Sequence, residues 1–281
     1  MSKRECWLGR TPQDVIAQSR KIVVKIGSST LAHEDGAVNR EFLESLAKSV
    51  DALRALGKQV VLVSSGARVA GVSRIGKWSR KEDTNYKQAL CAIGQVELMT
   101  AYSEIFSAHE LFVGQILLTR DDFGVKERSL NIRNTLFTLT DEGIIPIVNE
   151  NDTVAVEEIK VGDNDSLSAH TAVLWNADCL ILLSDIDGIY DQNPKTHPEA
   201  KLIEFIDNLD ETLSHIDISG KSDFGTGGIE TKISATREAM GYGIPVILAN
   251  GSTPDILLQL SEGTAPSTLF TNAAGKPEAE D

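Results

Sequence analysis

The stretch Lys-Ile-Val-Val-Lys-Ile-Gly-Ser-Ser-Thr occupies residues 21–30 and gives the clearest indication of the chain's architecture. Lys21 to Ile26 predict a buried β-strand, because the apolar residues form a short run instead of alternating strictly with polar ones. Gly27 and the hydroxyl residues after it predict a turn where that strand ends. One strand of a buried sheet therefore lies near the N-terminus, and its neighbours must come from elsewhere in the chain.

Helix and strand patterns alternate through the remaining sequence. Apolar residues at three- and four-residue spacing predict a helix from Arg40 to Leu56, which Gly57 ends. The same criteria predict helices at about 86–107, 130–141, 166–174 and 229–240, strands at 59–63, 111–118, 144–148, 179–183 and 245–249, and a short extended piece at 155–161. This alternation predicts the α/β class, as a three-layer α/β/α sandwich with a mostly parallel central sheet.

The length of 281 residues is compatible with one large α/β domain or two small ones. We expect one domain over residues 19–271, preceded by an extension at 1–18 for which the sequence suggests no function. Residues 272–281 are rich in Ala, Glu, Pro and Gly and predict a disordered tail.

Composition restricts the classes of function. The apolar runs are only strand-sized and the N-terminus has no signal-peptide pattern, so we expect a cytoplasmic protein without a membrane span. A net charge of −14 argues against nucleic-acid partners. Three widely spaced cysteines, Cys6, Cys91 and Cys179, predict ordinary thiols. An anionic small substrate remains compatible, since it needs only a locally positive pocket.

Small and polar residues follow four of the predicted strands. They are Gly27-Ser28-Ser29, Ser64-Ser65-Gly66, Asn149-Glu150-Asn151-Asp152 and Ser184-Asp185. Each cluster alone is more often a plain turn. Because the carboxyl ends of parallel strands share one edge of a sheet, their repetition predicts a ligand site at that edge.

Two lysines suggest phosphate binding. Lys25 lies inside the first strand, where its ammonium group could reach over Gly27 to an anion, although a lysine that extends to solvent is the alternative. Lys232 lies one helical turn beyond the glycine-rich run 225–228, which could equally be a flexible surface loop. Glu230 occupies a position where both the P-loop and the dinucleotide-binding motif require glycine, so neither motif is present.

Acids and amides concentrate at 149–152 and at 162–165, where they could hold an amino group or orient a metal, or could simply form a solvated loop. We assign no residue to a metal. Hydrolase patterns are absent: no Gly-x-Ser-x-Gly surrounds Ser65, there is no His-Glu-x-x-His, and the histidines are scattered.

At these positions the sequence resembles the glutamate 5-kinases of the amino acid kinase family, from about residue 20 to Phe270. The motifs are Val-Val-Lys25-Ile-Gly-Ser-Ser, Val-Ser-Ser65-Gly-Ala, Leu-Leu-Thr-Arg120, Leu-Asn-Ile-Arg-Asn-Thr-Leu, Pro-Ile-Val-Asn-Glu-Asn-Asp152, Lys160-Val-Gly-Asp-Asn164-Asp165, Ser184-Asp185-Ile-Asp-Gly-Ile-Tyr and Gly225-Thr-Gly-Gly. Many family members carry a further C-terminal PUA domain, which we expect this chain to lack. Arg68 and Glu230 depart from the smaller or uncharged residues usual in the family.

The resemblance implies roles for individual residues. Lys25 and Lys232 would hold the transferring phosphoryl group, and Asp165 would orient both lysines. The residues implied to bind glutamate are Ser65, Asp152 and Asn164. Those implied to bind the nucleotide are Lys25, Ser184, Asp185, Thr226, Gly227, Gly228, Ile229, Glu230, Thr231 and Lys232.

The resemblance also implies ATP-dependent phosphorylation of the γ-carboxylate of L-glutamate, with Mg²⁺, as the first step of proline biosynthesis. It suggests a homo-oligomer, dimer or tetramer, and possible feedback inhibition by proline. The alternatives are another kinase of the family, acting on acetylglutamate, aspartate, carbamate or UMP, and a non-catalytic amino-acid sensor. Both lysines argue against the sensor, because a sensor has no phosphoryl group in flight to stabilise.

Overall fold

The computed structural model describes residues 9–76, 83–155, 164–194, 196–216 and 228–272. Its helices are α1 (Pro12–Gln18), α2 (Ser28–Leu31), α3 (Arg40–Ala55), α4 (Ala67–Ile75), α5 (Thr84–Ser107), α6 (Arg120–Gly124), α7 (Lys126–Asp141), α8 (Asp165–Trp175), α9 (Leu209–His215), α10 (Ile229–Gly241) and α11 (Ile256–Glu262). Its strands are β1 (Lys21–Ile26), β2 (Gln59–Val63), β3 (Val113–Leu118), β4 (Ile145–Glu150), β5 (Cys179–Ser184), β6 (Ile189–Tyr190), β7 (Leu202–Ile203), β8 (Phe205–Ile206), β9 (Val246–Asn250) and β10 (Ser267–Phe270).

The main sheet has the strand order β3-β4-β2-β1-β5-β9-β10-β8. All neighbours from β3 to β9 are parallel, whereas β10 runs antiparallel to β9. Along the chain, the strands that follow β1 are first added on one side of it, beginning with β2. From β5 onward, strands are added on the other side of β1. Such a reversal opens a crevice at the carboxyl ends of the central strands, where ligands bind in sheets of this kind.

Side chains of β1 alternate between two cores on opposite faces of the sheet. Ile22 and Val24 pack with apolar residues of α1, α3, α5 and α11. Val23 packs on the other face with apolar residues of α7, α8 and α10. Because successive strand residues point to opposite faces, Lys25 lies on the same face as Val23, toward α8 and α10. The predicted three-layer α/β/α sandwich is confirmed.

Helices α4 and α5 approach each other through two glycines. A Cβ atom added to Gly94 of α5 would overlap the carbonyl oxygen of Ala67, and one added to Gly71 of α4 would overlap the carbonyl oxygen of Leu90. Neither position has room for a side chain, so the backbones are in direct contact. This contact places the start of α4, which directly follows Ser65, against the middle of α5.

The N-terminal segment contributes to the core. Thr11 and Asp14 cap α1 reciprocally, and Val15 and Ile16 of this helix are buried. Lys58 donates hydrogen bonds to the carbonyl oxygens of Ile16, Ala17 and Ser19 at 2.6, 3.1 and 2.9 Å. The lysine thus supplies hydrogen-bond donors to carbonyl groups that have no donor within the helix at the end of α1.

Several boundaries differ from the sequence predictions. The helix predicted at 130–141 begins earlier, at Lys126, and the strand predicted at 144–148 continues to Glu150. Elements that were not predicted include α1, α4, α6, α9, α11, β10 and the short strands β6 to β8. Of the extended piece predicted at 155–161, only Ala155 lies within the described residues. The division of the chain into extension, domain and tail stays a prediction.

No helix in the described ranges is long and apolar enough to cross a bilayer.

Candidate active site

Asp165 is the first residue of α8 and lies between two lysines from distant parts of the chain. Lys25, near the end of β1, forms an ion pair with Asp165 Oδ1. Lys232 lies in the first turn of α10, and its Nζ is 3.2 Å from Asp165 Oδ2. All three are buried, with 3%, 0% and 7% of Lys25, Asp165 and Lys232 exposed.

The three side chains carry more positive than negative charges. Counting these three side chains alone, two ammonium groups share one carboxylate, which leaves one formal positive charge in a buried setting. Buried charges are costly unless they are compensated. Ammonium groups form charge-assisted hydrogen bonds with phosphate oxygens, so the group is suited to hold a phosphate beside the lysines.

The beginning of α10 adds to this positive character. Gly228 is the N-cap residue, and no side chain among the described residues caps the helix. Thr231 Oγ1 lies 2.8 Å from the carbonyl oxygen of Gly228 and 3.0 Å from Asp165 Oδ2, which ties the first turn of α10 to the start of α8. Free backbone N–H groups and the helix dipole favour an anion at such an N-terminus.

Amide side chains join the ends of β2 and β4 to α8. Asn164 donates from Nδ2 to the carbonyl oxygen of Ser64 at 2.5 Å and to Asn149 Oδ1 at 2.7 Å. Asn149 in turn donates from Nδ2 to Gln95 Oε1 on α5, at 2.7 Å. The residue beside Asp165 is therefore fixed to the two strand ends from which Ser65 and Asp152 extend.

Asp152 lies at the wall of a cavity of about 630 Å³. The cavity runs between α5 and the edge of the sheet, and its walls include Gln95, Met99 and Glu150. Burial raises the pKa of the Cys91 thiol, which also lines this cavity, and the nearby Asp152 carboxylate raises that pKa further.

A second group of polar contacts surrounds the end of β5. Ser184 Oγ donates to Asp185 Oδ1 at 3.0 Å, and the Ser184 carbonyl accepts from the backbone N–H of Gly251 at 2.7 Å. Asp187 accepts from Asn250 Nδ2 and from the Tyr190 hydroxyl, each at 3.0 Å. Burial raises the pKa of that hydroxyl, and so does Asp187. These contacts hold the turn after β5 in place next to the strand end that carries Ser184.

Comparisons with known proteins identify the family of the chain. A sequence model of the amino acid kinase family matches residues 20–250. The chain belongs to the amino acid kinase family. It is 61% identical over 258 residues to a glutamate 5-kinase of Alkaliphilus oremlandii, covering 92% of this chain and 98% of that protein. It is 40% identical over 288 residues to a glutamate 5-kinase of Treponema pallidum, covering 91% and 97%. The resemblance inferred from the motifs is confirmed.

Among solved structures, the fold is similar to that of a UMP kinase from Ureaplasma parvum, with a TM-score of 0.65 and 16% identity over 91% of this chain and all of that one. At this identity the likeness shows the fold alone. It agrees with the amino acid kinase architecture that the family match implies.

The structure brings together some of the predicted site residues of this family member. Lys25, Asp165 and Lys232 are in direct contact, and Thr231 and Asn164 adjoin them. Ser65, Asp152 and Asp185 follow the carboxyl ends of the parallel strands β2, β4 and β5, and Ser184 is the last residue of β5. Gly228 and Ile229 are half-buried, whereas Glu230 is exposed. Thr226, Gly227 and Lys160 lie outside the described residues. The individual roles of these residues stay predictions.

The sequence did not predict individual roles for two residues of the site. Asn149 belongs to a recognised motif but was not given a role. Gln95 gave no signal, because one polar residue in a long helical pattern is typical of a solvated helix face.

Proposed function

We propose that this protein transfers the γ-phosphoryl group of ATP to the side-chain carboxylate of L-glutamate, forming L-glutamyl 5-phosphate, the first step of proline biosynthesis. The observation that carries the proposal is the shared carboxylate of Asp165, which holds Lys25 and Lys232 together at the crevice of the sheet. The chain's identity of 61% with a glutamate 5-kinase supports the choice of acceptor.

The chemistry needs no general base. A glutamate side chain with an ordinary pKa of about 4.3 is ionised at neutral pH, so its oxygen can attack the γ-phosphorus directly. A new bond forms between that oxygen and phosphorus while the bond to the β,γ-bridging oxygen breaks, and ADP leaves with the electron pair. What the protein must supply is alignment and compensation of negative charge.

The two lysines meet that requirement. Their ammonium groups come from a strand and a helix, so they can contact a phosphoryl group from two directions while Asp165 limits their movement. Preorganised charges of this kind are worth more in a water-poor site than in solvent. Amides at the start of α10 provide further donors for the phosphates of ATP.

Glutamate would be held by the predicted residues on the other side of the phosphoryl group. The carboxylate of Asp152 and the side-chain oxygen of Asn164 can accept from the substrate ammonium group, and the Ser65 hydroxyl can donate to a substrate carboxylate. Asp152 is half-buried at the cavity wall, which leaves it accessible to a small molecule.

Mg²⁺ belongs to this proposal as a companion of ATP. The described residues contain no cluster of three or more carboxylate, imidazole or thiol groups that could hold a metal. Both oxygens of Asp165 already contact lysines. These residues do not fit a metal site made by the protein alone. Mg²⁺ commonly binds substrate phosphates and waters with few protein ligands, so it would enter with the nucleotide.

The experiment that tests the proposal is incubation with MgATP, hydroxylamine and a panel of acids, with ADP measured in parallel. Of the acids in the panel, only glutamate should give a hydroxamate, because hydroxylamine traps the acyl phosphate that the enzyme forms. ADP release with aspartate, acetylglutamate, carbamate or UMP but not with glutamate would identify another kinase of the family. Glutamate binding without ADP release from any acceptor would identify a sensor.

Three expectations remain predictions beside this proposal: the cytoplasmic location expected from composition, and the homo-oligomer and the inhibition by proline that the resemblance suggests. Adding proline to the same hydroxamate assay tests the third directly.

A further inference from the structure

Gln95, which is half-buried, is the outermost member of a chain of three side-chain amides whose other two members are buried. Gln95 Oε1 accepts from Asn149 Nδ2, and Asn149 Oδ1 accepts from Asn164 Nδ2, each at 2.7 Å. Asn149 is 1% exposed and Asn164 is 9% exposed. This chain of amides begins at Gln95 on α5 and ends at Asn164, the residue before Asp165.

Backbone groups fix the direction of every bond in this chain. The N–H of Glu150 donates to Asn149 at 2.9 Å, so the atom that Asn149 presents there must be its oxygen. At the other end, the carbonyl of Ser64 can only accept, so Asn164 must present its NH₂ group to it. With both asparagines oriented, the NH₂ group of Asn149 faces Gln95, and Gln95 must act as the acceptor.

The second atom of the Gln95 amide, Nε2, is buried and has no hydrogen-bond partner among the residues that the structure describes. A buried donor without a partner is unfavourable, and an apolar side chain would avoid that cost. Among the described residues, the Gln95 side chain makes its hydrogen bond only with Asn149. An apolar residue at position 95 could not make this bond.

Helix α5 makes a second contact, at the end of the neighbouring strand β2. The hydroxyl groups of Ser64 and Tyr102 lie 3.3 Å apart, and Tyr102 is fully buried. The two contacts from α5 therefore reach the ends of β4 and β2, and Ser65 follows the second of these strand ends. Asp165, in contrast, is fixed by Lys25, Lys232 and Thr231, none of which belongs to the amide chain.

We propose that Gln95 is a positioning residue for glutamate: it anchors the NH₂ group of Asn149, whose amide oxygen in turn holds Asn164 beside Ser64. This rests on the proposed function, in which Asn164 binds glutamate. Loss of the Gln95 acceptor leaves a buried donor on Asn149, so the two asparagines lose their fixed arrangement. The defect falls on glutamate binding and spares the lysines, because Asp165 is fixed separately.

The test compares Gln95→Met with Gln95→Glu. Methionine matches glutamine in length and helix preference but has no comparable acceptor, whereas glutamate keeps an acceptor oxygen. In Gln95→Met we expect the KM for glutamate to rise roughly tenfold, the scale of one lost buried hydrogen bond. The KM for MgATP and kcat should change by less than about threefold, since an effect confined to KM reports lost ground-state binding.

Gln95→Glu should recover most of the wild-type KM for glutamate. Ser107→Ala is the matched control, because Ser107 lies on the exposed face of the same helix, outside the walls of the cavity, where its hydroxyl donates to the Ser103 carbonyl; its kinetics should equal those of the wild type. An unchanged KM for glutamate in Gln95→Met, or an equal rise in Gln95→Glu, overturns the proposal.

A crystal structure of Gln95→Met separates this proposal from the proposed function. If the wild type makes no hydroxamate from glutamate, the proposed function fails, and the structure alone then decides the role of Gln95. A displaced Asn164 that no longer contacts Asn149 supports positioning by Gln95. An unchanged contact between the two asparagines refutes it.

Discussion

Lys25 and Asp165 form a buried ion pair between the end of β1 and the first residue of α8. Only 3% of the Lys25 side chain is exposed, and none of the Asp165 side chain. Desolvating such a pair offsets much of its attraction, so a buried ion pair contributes little to stability by itself. Its position at the crevice of the sheet, with Lys232 on the second carboxylate oxygen, indicates that the pair serves to hold an anion. Removing the carboxylate and removing one ammonium group therefore have different consequences.

Asp165→Asn should leave two buried ammonium groups without their shared counter-charge. We expect turnover to fall by roughly 10²-fold or more, and the free energy of unfolding to fall by about 3–5 kcal/mol. A non-hydrolysable ATP analogue should raise the Tm of this variant more than that of the wild type, because the phosphates supply the missing negative charge. Thermal scans with and without the analogue measure the difference, and equal shifts would contradict the role given to Asp165.

Lys25→Ala and Lys232→Ala should each lower turnover by roughly 10²-fold, the scale of losing one charge-stabilising donor. The control is Lys48→Ala, because Lys48 is exposed and pairs with Asp255 on the surface at 3.3 Å. Steady-state assays with glutamate and MgATP should show normal turnover for the control. Near-normal turnover in both site variants would defeat the assignment.

Much of the site could be predicted because parallel strands bring their ends together. Lys25 was recognisable as a charge inside an apolar strand, and Ser184 and Asp185 as polar residues directly after one. The convergence of Lys25 and Lys232 on Asp165 was expected from the family resemblance, since spacing along the chain could not place a helix from the last third beside β1. In the structure, both lysines contact the carboxylate of Asp165.

The parts that were missed depend on tertiary contacts. Gln95 gains its role only because α5 crosses the end of β4, which no local pattern records. Helix α4 lacks a clear apolar stripe, and it is stabilised through glycine contacts with α5 instead. Strand β10 has four residues and lies antiparallel beside β9, so neither its length nor the α/β alternation indicated it.

Gly94→Ala should destabilise the fold, because the new methyl group would overlap the carbonyl oxygen of Ala67. Overpacking of this kind costs about 1–3 kcal/mol and occasionally more. Gly241→Ala, at the end of α10, is the matched control: an added Cβ meets no atom within 4 Å there. Chemical denaturation should show a clear loss for the first variant and little change for the second. Equal stabilities would mean that α4 and α5 can separate at no cost.

The buried thiols should make stability fall at alkaline pH. Burial raises the pKa of Cys179 above its ordinary value of 9.0, with the neighbouring Asp178 adding to the effect. The unfolded chain therefore loses the thiol proton at a pH where the folded chain retains it. The stabilising contribution is complete below about pH 9 and declines as the pH rises toward the folded value, by at most about 1.4 kcal/mol per pH unit. Denaturation at about pH 8 and about pH 10 measures the decline, and Cys179→Ala should reduce it. An identical decline in that variant would show that other groups cause the loss.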